Sequence, residues 1–321
     1  MLLKRQPAAG ARVVRGQLKD LRSSTLRSSL VLHNSSSART KGRPADNPLI
    51  VHVSDLDMLA ALYPAPRGVH PDPSSCSSSG GGGGGARSQR IADIIPQQYH
   101  RLISAFWPGP LTILLPASPL LPAAVTAGQP TVAVRMPAHP VARALIAAAG
   151  VPLAAPSANT SGRPSPTSAQ HVLDDLAGRV PAVVDGGGCG FGVESTVLDG
   201  LRVPPVVLRP GGVTAEQLAA APEMAGLQVY ARHSKSAGSD GCGDGSSAIK
   251  SSSSSVVVLE YVLGSWQQPE LVAQQLFGAL RAADDAGAGV ILVQGLPPVG
   301  TGLAVMNRLQ KAASRRVSVD L

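Results

Sequence analysis

The sequence predicts an α/β protein with a twisted mixed sheet and flanking helices, followed by a small C-terminal α/β domain. Three observations support this prediction. Short apolar runs alternate with helical patterns from residue 48 onward. Two Ser- and Gly-rich tracts, Ser74–Gly85 and Ser234–Ser255, interrupt this alternation as an insertion and a linker. The chain has 321 residues, 44% of them hydrophobic, which is enough for a large core and a second small unit.

The predicted domain boundaries follow these tracts. We expect a large first domain over residues 41–233, with a flexible insertion at about 68–90. A Ser/Gly-rich linker over 234–255 leads to a small α/β domain over 256–321. Residues 1–40 form a basic tail or a transit-like segment.

Strands of the first domain are predicted where short apolar runs end at Gly, Pro or polar residues. Gly150 is expected to end a helix over Val141–Ala149. Thr214 with Gln217, and Thr167 with Gln170, have the spacing of capping boxes at two helix N-termini. The predicted strands are Pro48–Val53, Thr112–Leu115, Thr131–Met136, Val151–Ala155, Ala182–Asp185, Ser195–Leu198 and Val206–Leu208.

The C-terminal domain shows the same alternation of patterns. Pro269–Ala286 has apolar residues on one helical face, and Leu303–Ala313 predicts a second helix. Val256–Leu263 and Gly289–Val293 are predicted as strands. These four elements predict a small, separate α/β unit.

Positive charge is concentrated at the N-terminus. The formal net charge is +8, but ten of the 28 Lys and Arg residues precede residue 46, where Asp20 is the only acid. The remaining 276 residues carry 18 basic and 19 acidic side chains, so no broad basic surface for nucleic acid is predicted there. Met1–Thr40 is Arg- and Ser-rich, as in a mitochondrial or plastid transit peptide. A disordered tail of a cytoplasmic protein, or a faulty gene model, explains it equally well.

Cysteine usage and hydropathy exclude several classes of protein. Cys76, Cys189 and Cys242 are widely spaced and form no CxxC or Cys/His set. Neither a zinc site nor a disulfide framework is therefore expected, and a reducing compartment is the simplest interpretation. No apolar run reaches the roughly 18 residues of a transmembrane helix.

Two polar segments contain residue types that bind phosphate. Lys41-Gly42-Arg43-Pro44 precedes a predicted strand with two cations, although alone it also fits a solvated basic turn. Residues 155–165 leave a strand and enter a Ser- and Asn-rich loop at its carboxyl end, where ligands bind in α/β sheets. An ordinary polar turn is the alternative there. No His/Asp partner accompanies Ser157, so we do not interpret it as a nucleophile.

Further anion-binding groups lie at the ends of other predicted strands. Arg135 ends one strand, and Arg209 ends another before Pro210-Gly211. Gly186-Gly187-Gly188 is followed by the segment 194–197, which begins with Glu and Ser. Because these groups converge at strand ends, the sequence predicts one polar, anion-binding cleft.

Together these segments resemble the YrdC-like threonylcarbamoyl-AMP synthases in their two-domain form. The resemblance covers roughly Lys41–Val213 apart from the insertion, and Leu276–Ala313 is similar to the C-terminal domain of that form. The segments that carry it, in the family's order, are KGRPADNPLIVHV, FWPGPLTILL, VAVRMPAHP, APSANTSGRPSPT, VDGG, GVESTVLD and VLRPGG.

The resemblance implies a nucleotidyltransferase. Members of the family join L-threonine, bicarbonate and ATP into threonylcarbamoyl-AMP and release pyrophosphate, with Mg²⁺ expected at the phosphates. A partner transferase then uses the product to make N6-threonylcarbamoyladenosine in tRNA. The alternative function is a non-catalytic RNA-binding or assembly module. Threonine-dependent exchange between ATP and pyrophosphate distinguishes the two.

The resemblance also implies roles for single residues. The expected catalytic set is Lys41, Arg43, Ser157 and Asn159. The positions expected to contact ATP are Arg43, Asn47, Thr131, Ser157, Ser165 and Arg209. The positions expected to contact threonine are His52, Arg135, Ala155 and Ser195. Arg135 is expected to hold the threonine carboxylate, and no protein ligand to a metal is expected.

Two segments depart from the family pattern. Nothing in Met1–Thr40 matches the Pro-Thr-x-Thr-Val-Tyr-Gly segment that helps to hold threonine in the family. Val229–Cys242 reads VYARHSKSAGSDGC where the family carries a His-Tyr-Ala-Pro segment. Relative to a family member that carries the first segment, we therefore expect this chain to retain ATP binding better than threonine binding. We expect weak or no turnover until that segment is restored.

Overall fold

The computed structural model describes residues 12–14, 46–64, 91–230 and 257–314. Its strands are β1 Arg12–Val14, β2 Ile50–His52, β3 Leu111–Pro116, β4 Thr131–Arg135, β5 Leu153–Ala154, β6 Ala182–Val184, β7 Thr196–Asp199, β8 Val206–Arg209 and β9 Gln228–Val229. Its α-helices are α1 Leu56–Ala60, α2 His100–Phe106, α3 Ala123–Thr126, α4 Pro140–Ala149, α5 Ala169–Leu176, α6 Ala215–Ala219, α7 Pro269–Asp285 and α8 Gly300–Ala312. Short 3-10 helices occupy Gln97–Tyr99 and Pro222–Met224.

Seven strands form a mixed sheet in the order β5-β2-β4-β3-β7-β8-β9. The pairs β2/β4, β3/β7 and β8/β9 are parallel, and β2/β5, β3/β4 and β7/β8 are antiparallel. β1 and β6 pair in parallel as a second sheet of two strands. The predicted mixed α/β fold is confirmed, and all seven strands predicted in the first domain are found with shifted ends.

The hydrophobic core surrounds β3, the central strand of the large sheet. Leu111, Ile113 and Leu115 are fully buried, and Thr112 between them is equally inaccessible. A strand covered on both faces reads as a continuous apolar run, which explains the sequence LTILLP. Trp107 donates its indole N–H to the Leu111 carbonyl at 2.7 Å, so its polar atom is satisfied inside the core.

Helix ends follow most of the predicted signals. Pro140 occupies the first turn of α4, and Gly150 ends that helix with a left-handed φ of 69°. The Thr214–Gln217 capping box is confirmed at the start of α6. The Thr167–Gln170 box is wrong, because Ser168 caps α5 instead. The helix starts one residue later than predicted, so the Gln170 side chain points along it and donates to Asp174 at 2.7 Å.

The described C-terminal segment contains two helices and no strand. The predicted helices are confirmed as α7 and α8, which pack through Val272, Leu276 and Val305. The strands predicted within 256–263 and 289–293 are wrong in the described residues. Val258 is 82% exposed and Leu292 is 88% exposed. No described backbone pairs with these segments, and an apolar run without a partner strand forms no ladder.

Several predictions fall on residues that the structure does not describe. The insertion at about 68–90 is almost entirely among them, as are the linker over 234–255 and most of residues 1–40. The domain boundaries therefore remain a prediction. Among the described helices, none is both long and apolar enough to span a membrane.

Candidate active site

Five polar side chains lie in a row across the large sheet. Strand register places His52 of β2 beside Arg135 of β4, and Arg135 beside Thr112 of β3. Paired residues of adjacent strands project from the same face. The Thr112 and Ser195 hydroxyl groups are 2.8 Å apart, and Arg209 donates to the Ser195 hydroxyl at 3.0 Å. We call these five residues the polar row.

Arg135 is the cation at the centre of the polar row. Its Nε donates to the Gly109 carbonyl at 3.0 Å, which fixes the plane of the guanidinium. No described residue hydrogen-bonds to its Nη1 or Nη2, and no described carboxylate pairs with it. Burial lowers its pKa, but an arginine keeps its charge at neutral pH. The geometry presents two parallel donors, which suits a carboxylate or a phosphate.

His52 is neutral at physiological pH. Burial, and then the positive charge of Arg135, lower its pKa to about 4. Its Nδ1 is 3.3 Å from the Leu153 carbonyl oxygen, so Nδ1 carries the proton and Nε2 is the acceptor nitrogen. The row therefore places a hydrogen-bond acceptor beside a fixed cation.

Ser195 and Arg209 form the other end of the polar row. Arg209 donates through Nε and Nη2 to the Ser195 carbonyl at 3.0 and 2.8 Å. Gly211, two residues further on, allows this close approach. A Cβ there would lie 2.3 Å from the Glu194 carbonyl oxygen. The sequence predicts Ser195 as the first residue of this strand, but β7 begins at Thr196, so Ser195 lies just before it.

The loop of residues 155–165 forms a second part of the site. Asn159 is buried, and its amide donates to the carbonyls of Thr160 at 3.0 Å and Arg163 at 2.7 Å. Asn159 therefore shapes the loop from within, whereas Ser157 is exposed. The Ala155 amide donates to the Ile50 carbonyl at 3.1 Å, so the loop leaves the sheet towards the start of β2.

The structure divides the residues expected to contact ATP into two groups. Thr131 begins β4 and Arg135 ends it, which separates their Cα atoms by about 13 Å at 3.3 Å per residue. Because β2 and β4 are parallel, Asn47 lies at the same end of the sheet as Thr131, and the loop with Ser157 runs towards that end. Arg209 belongs to the polar row, and Ser165 lies close to it through its bond to Glu194.

Two expected residues, Lys41 and Arg43, lie outside the described part of the chain. Thr112 is a residue that sequence reasoning missed, since it reads as one more strand residue in an apolar run. Its hydroxyl group is inaccessible to solvent yet bonds Ser195. Strand alternation at this sheet end was the one signal that could have indicated it.

No carboxylate cluster for a metal is found in the described segments. Glu194, next to Ser195, already accepts from Arg308 Nε at 2.6 Å and from the Ser165 hydroxyl at 3.2 Å. Burial alone would raise the pKa of Glu194, but the charges of Arg308 and Arg209 outweigh it and lower the pKa. Glu194 is thus an ionised structural group.

A fixed guanidinium, a neutral imidazole, a second arginine and a Ser-rich loop on one sheet are groups with which α/β enzymes bind anionic substrates. Residues 86–211 match a family model for Sua5, YciO and YrdC proteins, described as telomere recombination. Residues 206–314 match the model of the threonylcarbamoyl-AMP synthase C-terminal domain.

Individual relatives agree with these matches. The threonylcarbamoyl-AMP synthase of Schizosaccharomyces pombe is 39% identical, over 86% of this chain and 78% of that protein. The Bacillus subtilis synthase is 39% identical over 86% of this chain and 82% of its own. Sua5 of Pyrococcus abyssi, solved in complex with L-threonine, has a TM-score of 0.69 at 29% identity, covering 94% of this chain and 96% of that one.

The chain belongs to the threonylcarbamoyl-AMP synthase family. The resemblance to the two-domain form, the fold class and the enzyme class are thereby confirmed. The roles of the single residues are not tested by these comparisons and remain predictions.

Proposed function

We propose that this chain forms threonylcarbamoyl-AMP from L-threonine, bicarbonate and ATP, with release of pyrophosphate, for the N6-threonylcarbamoyladenosine modification of tRNA. The observation that carries the proposal is the polar row. It presents the open Nη1 and Nη2 donors of Arg135 beside the acceptor Nε2 of His52. An amino acid offers a carboxylate and a nearby donor, which is the complementary pair.

Threonine binds along the polar row in this proposal. Arg135 receives the carboxylate as a bidentate partner, and the neutral His52 accepts a hydrogen bond from threonine. The Ser195 hydroxyl, held at 2.8 Å by Thr112, fixes the other side of the ligand. Ala155 directly follows β5 and donates its amide to the Ile50 carbonyl of β2, and it would contact threonine from this neighbouring strand.

ATP binds where its α-phosphate meets the carbamate of threonine. A carbamate oxygen forms a bond to the α-phosphorus, the bond from that phosphorus to the β-bridging oxygen breaks, and its electron pair leaves with pyrophosphate. Arg209, with Lys41 and Arg43, neutralises the phosphate charge, and Ser157 and Ser165 donate hydrogen bonds. Asn47 and Thr131 would contact the more distant part of the nucleotide.

Mg²⁺ is part of the proposal as an ion that neutralises phosphate charge when bound. The described residues offer no cluster of three protein ligands, so the phosphates of ATP would supply most of its coordination. The protein's own contribution is to orient the two substrates and exclude water between them.

The test is pyrophosphate release by the full chain with ATP and bicarbonate, with and without L-threonine. We expect release that depends on threonine, and a larger rate when the Pro-Thr-x-Thr-Val-Tyr-Gly segment is restored ahead of Lys41. L-Valine is the matched control, because it keeps the shape and lacks the hydroxyl group. No threonine-dependent release from either chain, together with tRNA binding, would favour the non-catalytic RNA module instead.

The proposal extends to partners and location. The unstable acyl-adenylate must pass to a threonylcarbamoyl transferase that modifies tRNA. We place the protein in the cytoplasm, or in mitochondria or plastids where residues 1–40 act as a transit peptide. A fluorescent fusion with and without residues 1–40 tests this, because only a transit peptide would change the compartment.

A further inference from the structure

Two arginines of the C-terminal helices are buried against the catalytic sheet domain. Arg281 of α7 is 1% exposed, and it is the largest fully buried side chain among the described residues. Arg308 of α8 is 8% exposed. Their carboxylate partners, Asp175 and Glu194, lie more than a hundred residues earlier in the chain. Both contacts therefore connect the C-terminal helices with the domain that carries the candidate site.

Arg281 holds the loop of residues 155–165 through Asp175. Its Nη1 and Nη2 bind the two Asp175 carboxylate oxygens at 3.1 and 2.9 Å, and Nη2 also donates to the Pro164 carbonyl at 2.5 Å. The Asp175 carboxylate, itself inaccessible, accepts from the Thr160 amide at 3.0 Å and from Arg163 at 2.9 Å. One buried pair thus fixes three successive points of the loop that contains Ser157.

Arg308 holds the two chain segments beside Ser195 and Arg209. Its Nε donates to Glu194 at 2.6 Å, and its Nη1 donates to the Pro210 carbonyl at 2.6 Å. Glu194 precedes Ser195, and Pro210 follows Arg209. Arg308 therefore contacts the immediate neighbours of Ser195 and Arg209, and its side-chain hydrogen bonds in the described residues go to neither of the two.

A glycine marks how closely the two parts approach. Gly192 has a φ of 76°, and a Cβ there would lie 2.3 Å from the Ala273 carbonyl oxygen and 2.4 Å from the Gln274 Cα of α7. Its neighbour Val193 packs on the apolar contact between α7 and α8. The segment leading to Ser195 therefore lies directly on the backbone of the C-terminal helix.

We propose that Arg281 and Arg308 are positioning residues of the synthase, through which the C-terminal helices fix both site loops. The proposal rests on the proposed function and adds a role for the C-terminal helices in it. A buried ion pair contributes little net stability compared with apolar packing, but it fixes geometry. The arginine fork matters here, since it meets a carboxylate and a carbonyl together, which a lysine does not.

The test is Arg281→Lys, which removes the fork of the guanidinium and keeps the positive charge. The matched control is Arg101→Lys, because Arg101 pairs with Glu223 at 3.1 Å on the surface, with a side chain 70% exposed. For Arg281→Lys we expect a Tm near that of the parent chain and about a tenfold rise in the KM for ATP. The KM for threonine should change less than about threefold, since a misplaced loop affects the ligand it contacts.

A second readout is independent of turnover. Amide hydrogen exchange at residues 157–165 should accelerate in Arg281→Lys, while exchange in β3 and β4 stays unchanged. Arg308→Lys should instead raise the KM for both substrates, because it supports Ser195 and Arg209 together. The Arg101→Lys control should change neither exchange nor KM.

Three results decide the outcome. Arg281→Lys matching the parent chain in Tm, KM and loop exchange would overturn the proposal, since charge alone would then suffice. An equal fall in kcat/KM for both substrates without faster loop exchange would also overturn it. Faster loop exchange in a chain that shows no threonine-dependent pyrophosphate release would support the positioning role while rejecting the synthase function.

Discussion

The polar row and the loop of residues 155–165 are two halves of one candidate site, but they are held in different ways. The polar row is fixed by strand register, so His52, Arg135 and Thr112 are placed by the sheet itself. The loop is fixed by single side chains, chiefly Asn159 from within and Asp175 from α5. The first half depends on backbone pairing, and the second depends on a few buried polar contacts.

This difference predicts different responses to substitution. A change in the polar row alters what the site binds and leaves the sheet intact, because the ladder bonds come from the backbone. A change in the contacts of the loop leaves a buried charge unpaired, so it alters stability as well.

Asp175→Asn should destabilise the protein by about 3 kcal/mol, because it leaves Arg281 buried without a countercharge. The matched control is Asp174→Asn, its exposed neighbour, which we expect to change stability by less than about 0.5 kcal/mol. Urea unfolding of the three proteins measures both effects. Equal midpoints for all three would show that the loop does not depend on the buried pair.

The same carboxylate sets part of the acid limit of stability. Hydrogen bonds from Arg281, followed by Thr160, hold the pKa of Asp175 below its ordinary value of 3.8. A carboxylate with a depressed pKa contributes its full stability above the ordinary value and loses it as pH falls through the folded value. The free energy of unfolding, measured between pH 6 and pH 2, should therefore fall less steeply for Asp175→Asn than for the parent chain.

Arg135→Gln should lower kcat/KM for threonine by about 100-fold, the equivalent of one lost charge-assisted contact of roughly 2.7 kcal/mol. The urea midpoint should stay close to that of the parent chain, because the β4 ladder is unchanged. Steady-state pyrophosphate release measures kcat/KM for threonine, with Arg101→Gln as the exposed control. A loss of folding with no selective loss of threonine use would contradict the assignment of Arg135 to the carboxylate.

Thr112→Val should raise the KM for threonine by about fivefold, since it removes the partner that orients the Ser195 hydroxyl. The matched control is Thr126→Val, because Thr126 is also buried but bonds only within its own helix, to the Ala123 carbonyl at 3.4 Å. Both variants lose one hydroxyl group of the same size. A KM change of equal size in both would show that burial, rather than the polar row, causes the effect.

His52 should titrate with a midpoint near pH 4, well below the roughly 6.5 of an ordinary histidine. The ring stays neutral in the folded protein, so folding loses stability as pH falls from about 6.5 towards 4, where the unfolded chain binds the proton. Proton NMR of the imidazole, assigned with His52→Gln, measures the midpoint. A value near 6.5 would place His52 in open solvent and remove it from the polar row.

Much of the sheet could be predicted from the sequence because strand signals are local. Apolar runs bounded by Gly, Pro and polar residues located all seven predicted strands of the first domain. The strand predictions failed after residue 256, where the apolar runs have no described partner. The capping box at Thr167 failed by one residue, since Ser168 competes for the same role at the same helix.

The candidate site was predictable only in part for a related reason. Arg135 and Arg209 are indicated by their positions at strand ends, whereas His52 is indicated only by the resemblance to the family. Thr112 has no such signal, because its role depends on a 2.8 Å hydrogen bond with Ser195, which lies 83 positions away. The role of Asn159 as a catalytic residue stays a prediction, and the structure adds that its amide donates to the loop's own carbonyl groups.

The fold class, the polar residues at the strand ends and the family all follow from the sequence alone. Periodicity and the order of motifs are properties of the linear chain. The contacts of the C-terminal helices with the two candidate-site loops are visible only in the folded structure. Arg281 meets Asp175 across 106 positions, and Arg308 meets Glu194 across 114. No local pattern distinguishes such arginines from the solvated ones of an amphipathic helix, since burial and pairing arise only when distant elements pack.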